Sequence, residues 1–293
     1  MHKKETNLYH SKLANNMINY ITINIDTDIN IDEISKDLGI SKYHFHRIFK
    51  EQMGINIYET IKSIRLQKAS NLLITNKYST ITEVANMCGY SSQTSFIRAF
   101  KARFEQTPKY WRNGGYKEYS NKILSTSQAA SLSKVDFSYL EAKIVKTKKK
   151  RVYYIRQKGY SKKISLTWQK MMAWVFTNEI KNYEQIAIYH DNPIITPLED
   201  CYYVACIAVE ENINLKNTNL PYFEIESILC ATFEVEGKFG DILKLVQWVY
   251  HHWLPNSGFE TTTHPSFTIF EENHFLNDDG RFKVIYYVPV RYV

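Results

Sequence analysis

Two stretches of this chain are versions of one another. Residues 39–50 read GISKYHFHRIFK and residues 89–101 read GYSSQTSFIRAFK, each running from Gly-apolar-Ser to Phe-x-Arg-x-Phe-Lys. The match extends back through Ile31 and Ile81, and through Glu33 and Glu83, at an offset of 50 that becomes 51 beyond Ser41 and Ser91. A duplication constrains the fold more than any composition does, because both copies must make the same local structure.

Each copy reads as two short helices around a glycine. Asn30-x-x-Glu33 and Thr80-x-x-Glu83 have the spacing of a capping box, which satisfies the orphan amides of a helix start. Ile31, Ile34 and Leu38, like Ile81, Val84 and Cys88, recur at helical spacing and predict one buried stripe per copy. Gly39 and Gly89 then end the first helix, where a left-handed residue costs glycine least. Ser41 and Ser91 stand where they would cap the second helix. Helix, glycine turn and helix make the helix-turn-helix plan, whose second helix enters the DNA major groove.

In those second helices Phe45, Ile48 and Phe49, and Phe96 and Phe100, are expected to face inward. Tyr43, His46 and Arg47 are then left outward in one copy, and Gln93, Thr94, Ile97 and Arg98 in the other. Arg reads guanine bidentately, Gln reads adenine, and Tyr or Ile packs on thymine methyls. Lys50 and Lys101 follow at the helix ends, within reach of phosphates. Between the copies, residues 57–74 (IYETIKSIRLQKASNLLI) predict one long amphipathic helix. Such a rod would hold the two recognition helices ~34 Å apart, one turn of B-DNA, so that a monomer reaches consecutive grooves.

Charge agrees with that partner. Residues 1–150 hold 24 Lys and Arg against 13 Asp and Glu, whereas residues 151–293 hold 13 against 17, so a basic half is joined to an acidic one. A basic domain favours a polyanion. Over residues 8–113 these motifs resemble the AraC/XylS transcription regulators, and SKYHFHRIFK is most similar to the Rob-like branch. The closing motif of that family, Phe-Gly-x-x-Pro-x-x-x-Arg, stands here as Phe104-Glu-Gln-Thr-Pro108-Lys-Tyr-Trp-Arg112, with Glu105 in place of the glycine.

After residues 1–113, read as the DNA-binding domain, the polar and small residues of 114–141 predict a linker. The run KTKKKR (146–151) reads as a solvated loop or strand edge. From Val152 a looser repeat begins. VYYIRQKGY, ISLTWQKMMAWVFTNEI, AIYHDNP and CYYVACIAV are followed by CATFEVEGKFG, ILKLVQWVYHHWL, TTTHPSFTIF and FKVIYYVPV. Each half predicts strand, glycine turn, amphipathic helix and two more strands, with Gly159 matched to Gly237. The expected architecture is therefore an all-α N-terminal domain with two helix-turn-helix units joined by a long helix, then an α+β domain of two pseudo-symmetric β-α-β-β repeats with a cleft along the seam.

Residues 142–293 resemble the GyrI-like small-molecule-binding domain, through RVYYIRQKGY, YHDNPIITPLEDCYYVACIAV, the segment ending WLPNSG, and YYVPV. The resemblance implies a cleft for amphipathic or cationic compounds, walled by aromatic residues and often holding a carboxylate in a Phe-Glu-x-Tyr segment. Phe267-Thr268-Ile269-Phe270 occupies that place here, so Thr268 and Phe270 replace both polar groups, and Glu234, Glu236 or Glu271 is left to supply a carboxylate. Tyr154, Trp168, Trp174, Tyr189, Phe233 and Trp248 are the candidate lining, because an aromatic face holds a cation or stacks a flat ring.

The expected function is a sequence-specific regulator, acting as an activator in a drug or stress response. Its partners would be double-stranded DNA, a small amphipathic or aromatic effector and RNA polymerase. Two alternatives stay open: a hydrolase of the GyrI-like kind fused to a DNA reader, and a protein-interaction module. No nucleophile elbow, P-loop or metal-ligand spacing is present, so neither a cofactor nor a metal is expected. Cys88, Cys201, Cys206 and Cys230 are scattered without a C-x-x-C pair, which fits buried thiols in a reducing cytosol. The opening MHKKETNLYHSKLANN lacks the apolar run of a secretory signal, and no stretch approaches the ~20 apolar residues of a membrane span. A cytoplasmic protein is expected.

Overall fold

The computed structural model describes residues 3–160, 163–210, 215 and 218–293. The chain forms two compact units, residues 1–113 and residues 114–293.

The first unit is helical. In order it contains α1 (Lys3–Ile23), α2 (Ile31–Asp37), α3 (Lys42–Met53), α4 (Ile57–Thr75), α5 (Ile81–Met87), α6 (Gln93–Phe104) and a single turn, α7 (Pro108–Tyr110). The first core joins α1 to the first repeat: Ala14, Met17 and Ile21 pack with Ile31, Phe45, Phe49, Met53, Ile57 and Ile61. The second core is a ladder of rings. Phe96, Phe100, Phe104 and Trp111 are all fully buried, with neighbouring centroids 5.6, 4.5 and 4.6 Å apart. The Trp111 indole donates to the Ser70 carbonyl on α4 at 3.1 Å, tying the ladder to the long helix.

The duplicated caps take their expected places with one exception. Asn30 accepts from the amides of Asp32 and Glu33, and Thr80 and Glu83 form a complete capping box. Gly39 and Gly89 are left-handed, at φ +66° and +74°. The second recognition helix, however, is capped by Ser92 rather than Ser91. The extra residue of the second copy falls before the cap, so Ser92 is the counterpart of Ser41. After α3 the chain turns at Gly54 (φ 75°), and after α6 the same left-handed turn is made by Glu105 (φ 57°). A side chain there is tolerated at a cost of roughly 1–2 kcal/mol.

The second unit starts with two helices where a linker was expected: α8 (Tyr116–Ser125) and α9 (Gln128–Leu132). Both lie in a stretch rich in Ser, Asn, Gln and Lys, and Ile123, Leu124 and Ala130 are the apolar residues that they bury. The remainder comprises β1 (Lys143–Lys146), β2 (Lys150–Lys158), α10 (Lys163–Thr177), β3 (Tyr183–Tyr189), β4 (Tyr202–Val209), β5 (Tyr222–Ile225), β6 (Leu229–Lys238), α11 (Asp241–Trp248), β7 (Phe259–Thr261), β8 (Ser266–Glu272) and β9 (Arg281–Tyr292). Gln247 on α11 donates to Ser120 and Asn121 on α8, at 3.1 and 2.8 Å, and Ser133 donates to Asp241 at 2.5 Å.

The strands make one antiparallel sheet in the order β1-β6-β9-β8-β3-β4-β2-β5, with β7 paired to β9. Read outward from the β8·β3 contact, each half repeats the same order, so the two β-α-β-β units join edge to edge. The left-handed turn before α11 is Gly240 (φ 102°), while Gly237 lies inside β6 opposite Phe282, so Gly240 rather than Gly237 matches Gly159 (φ 85°). Strand alternation gives the sheet two faces. One packs under α10, where Trp168, Met171 and Val175 meet Tyr153, Tyr203, Ala205 and Ile207. The other buries Val152, Tyr154, Ile186, Val204, Cys206 and Phe267. The basic run edges this sheet, with Lys149 and Arg151 paired to Glu224 on β5 at 2.6 and 3.4 Å. Exposed pairs of that kind add little net stability, because water and salt screen them.

Candidate DNA interface and effector site

Burying Phe45, Ile48 and Phe49 turns the opposite side of α3 to solvent. Tyr43 is 80% exposed, and Arg47 and Lys50 are exposed beside it. His46 is half-buried against Tyr58, rings 5.4 Å apart, and burial with Lys42 nearby lowers its pKa. On α6, Gln93, Thr94, Arg98 and Lys101 are exposed and Ile97 is half-buried. The Gln93 side-chain oxygen accepts from the Thr82 hydroxyl at 3.1 Å, which steadies the side chain and turns its amide donor away from that bond. All nine residues therefore lie on the accessible sides of the two second helices.

Between α4 and α6 lies a groove of about 430 Å³, lined by Tyr58, Lys62, Arg65, Tyr90, Ser95 and Arg98. Sequence reasoning passed over Tyr58 and Lys62, because α4 read only as a spacer. Arg65 is structural: it donates to the carbonyls of Ile25 and Thr27 at 3.1 and 2.8 Å. Lys62 is exposed, and its ammonium lies 3.9 Å from Glu59. Lys62→Ala is expected to lower the slope of log affinity against log salt by about 1 on any duplex, because one phosphate contact is lost. A salt titration by fluorescence anisotropy measures it, and an unchanged slope would remove Lys62 from the interface.

In the second unit the structure sorts the ten sequence-predicted ligand residues into four places. Trp168, Tyr189, Thr268 and Phe270 come together on the helix side of the β3·β8 seam. Trp168 and Phe270 meet at 5.5 Å, and the hydroxyls of Tyr189 and Thr268 are 2.9 Å apart. Trp174 lies further along α10 against Tyr153, while Phe233 packs on Trp248 and Trp253. Tyr154, Glu234 and Glu236 belong to the other face. Tyr154 sits in its core, and Glu234 is 62% exposed in a 2.6 Å ion pair with Lys143. Glu236 is exposed, and Glu271 is exposed and paired to Lys283 at 2.6 Å. None of these carboxylates lines the seam: residues of even number on β6 alternate away from the helices, and Glu271 on β8 stays in water with Lys283.

Residues that sequence reasoning missed complete the seam. Tyr203 pairs with Tyr189 across β3 and β4, and the Trp168 indole donates to its hydroxyl at 2.9 Å. Tyr160 completes a triangle of rings with Tyr189 and Tyr203, at 6.3, 5.8 and 5.9 Å. Tyr286 borders Tyr189 from β9. Burial raises the pKa of all four phenols, so they remain protonated donors. His274 and Phe275, on the connection from β8 to β9, close over the group: His274 lies 6.1 Å from Phe270, and Phe275 lies 5.9 Å from Tyr203. Only the register of the antiparallel ladder brings these residues together, and no local motif announces it.

Paired helix-turn-helix units with basic, exposed second helices, followed by a two-fold sheet with an aromatic seam, define a DNA reader joined to a ligand-binding domain. The chain belongs to the family of the GyrI-like small molecule binding domain, which residues 140–291 match, and residues 34–114 match a helix-turn-helix domain of the AraC type. It is thus a DNA-binding transcription regulator of AraC type with a GyrI-like domain. It is 34% identical over 105 residues to the transposon Tn10 TetD protein of Escherichia coli, covering 36% of this chain and 75% of that one. It is 37% identical over 109 residues to the "Probable transcription factor PqrA" of Proteus vulgaris, covering 35% of this chain and 88% of that one. A solved EcmrR–DNA complex is similar over 90% of this chain and 100% of its own, at 14% identity and a TM-score of 0.43. Among the described residues no helix is long and apolar enough to cross a membrane.

Proposed function

We propose that this chain activates transcription from specific promoters in response to a small aromatic or amphipathic compound. The exposed tips of α3 and α6 read consecutive major grooves, with Arg47, Arg98 and Gln93 on base edges and Lys50 and Lys101 on phosphates. The observation that carries this reading is the pair of matched second helices, each with its phenylalanines buried and its Arg on the exposed side. The seam of the second unit takes the effector, and its binding shifts either the orientation of the reader or its contact with RNA polymerase. A role in a drug or stress response, in the cytoplasm where the DNA lies, follows from that assignment. No enzymatic step is assigned: the Proteus vulgaris relative carries the name of a probable transcription factor, and the carboxylates that a hydrolase reading required lie on the outer face.

Arg47→Ala and Arg98→Ala are each expected to weaken a specific duplex by ~1–3 kcal/mol and to relax selectivity at one base position. Binding selections with randomised duplexes measure both. If the two variants bound every duplex as tightly as the parent, the base-reading assignment would be wrong.

A further inference from the structure

The seam is unusual in what it lacks and in what fills it. Among the described residues, its polar groups are four phenol hydroxyls, the Thr268 hydroxyl, one indole and one imidazole, all of them neutral near pH 7. Burial lowers the His274 pKa to about 4, so its ring carries no charge there. Asp191 bears on Tyr160 through space, but its Oδ2 accepts from the Tyr202 amide at 2.9 Å, at the edge of the group. A ligand with a full charge would leave water without a partner charge in this site, and that loss is large.

The present occupant points the same way. The His274 and Phe275 rings lie 3.9 Å apart, with Phe239 against both at 5.8 and 6.2 Å. Their connection makes its own turn, Asn273 Oδ1 accepting from the Phe275 amide at 3.0 Å, and is tied to the sheet by a bond from Asn273 to Gln185 at 2.8 Å and by His274 on Phe282 at 5.4 Å. Both nitrogens of His274 and the hydroxyl of Tyr160 are buried without a hydrogen-bond partner. Unpaired buried donors are costly, so a compound that pairs with them gains what the protein alone leaves unmade.

Resting on the effector reading above, we propose that the seam binds an uncharged, flat aromatic compound with a hydrogen-bond acceptor, which displaces the His274–Phe275 pair and accepts from Tyr160. The two side chains act as a stand-in for the ligand: an uncharged heteroaromatic ring against a phenyl ring.

The test uses the full chain at pH 7.5 and three matched probes: 2-phenylquinoline, its N-methyl cation and its 4-carboxylate. Tryptophan fluorescence follows binding, because Trp168 borders the site. The neutral probe is expected to bind at least tenfold more tightly than either ion. Tyr160→Phe should narrow that advantage about fivefold or more, and a chain with His274→Ala and Phe275→Ala should bind the neutral probe more tightly than the parent. Tyr160→Phe removes only a hydroxyl, so it serves if the double variant fails to fold. Equal or preferred binding of the cation would overturn the neutral class while leaving an effector site at the seam. Tight neutral binding unaffected by Tyr160→Phe would overturn the assigned contact. Binding of none of the three would overturn this proposal and the effector reading with it.

Discussion

Phe100→Ala should strongly destabilise the second half of the DNA reader. Phe100 is fully buried in α6, with Phe96 at 5.6 Å, Phe104 at 4.5 Å and Trp111 at 5.6 Å. Truncation removes the middle rung of that ladder and leaves a cavity that neighbours anchored on α4 cannot easily fill. The expected cost is about 3–5 kcal/mol, against a total of about 5–15 kcal/mol for an ordinary domain. The change lies more than a side chain away from the exposed Arg98, yet affinity for a two-groove duplex should fall toward that of the first repeat alone. Urea unfolding followed by Trp111 emission measures stability, and anisotropy measures binding. A midpoint within error of the parent would show that the ring ladder is not what holds α6.

Gly89→Ala is the second large effect, and its twin makes it informative. Gly39 and Gly89 occupy the same place in the two repeats, and both are left-handed. A Cβ on Gly39 meets nothing within 4 Å, so Gly39→Ala bears only backbone strain, ~1–2 kcal/mol. A Cβ on Gly89 would stand 2.6 Å from the Ile25 carbonyl oxygen and 2.7 Å from Arg65 Nη2. The same Arg65 donates to Ile25 and Thr27, so relieving the clash means breaking a charge-assisted bond, ~1.5–3 kcal/mol more. Gly89→Ala should therefore cost about 3–5 kcal/mol. Thermal unfolding of the two single variants gives the comparison directly, and equal losses would mean that Arg65 moves freely.

Much of the reader was legible in the sequence because its signals are local. Apolar spacing, a capping residue and a glycine determine a short helix pair without reference to the rest of the chain, and repetition supplies a second reading of each position. The exception is instructive. Ser91 and Ser92 are both competent caps, and only the φ/ψ of the turn decides that Ser92 accepts from Ser95. The helices of residues 116–132 are harder to read because their small polar residues resemble a linker, and Ile123, Leu124 and Ala130 are the apolar side chains they bury.

The seam was half legible. Sequence groups Trp168, Tyr189, Thr268 and Phe270 with Tyr154, Glu234 and Glu236, because aromatic and acidic residues on strands look alike from either side, whereas the fold puts the first four on one face and the last three on the other. A strand has a period of two, so one residue of register moves a side chain to the opposite face. Tyr203 and Tyr154 are both buried tyrosines on neighbouring strands, and they end up in different cores. The sequence by itself determined that this chain holds two copies of a helix-turn-helix reader and two copies of a β-α-β-β unit, because those patterns arise from contacts a few residues apart. Tertiary structure alone decided which aromatic groups share a face, which glycine is crowded and which carboxylates stay in water, because each depends on strands and helices that meet only after distant segments pair.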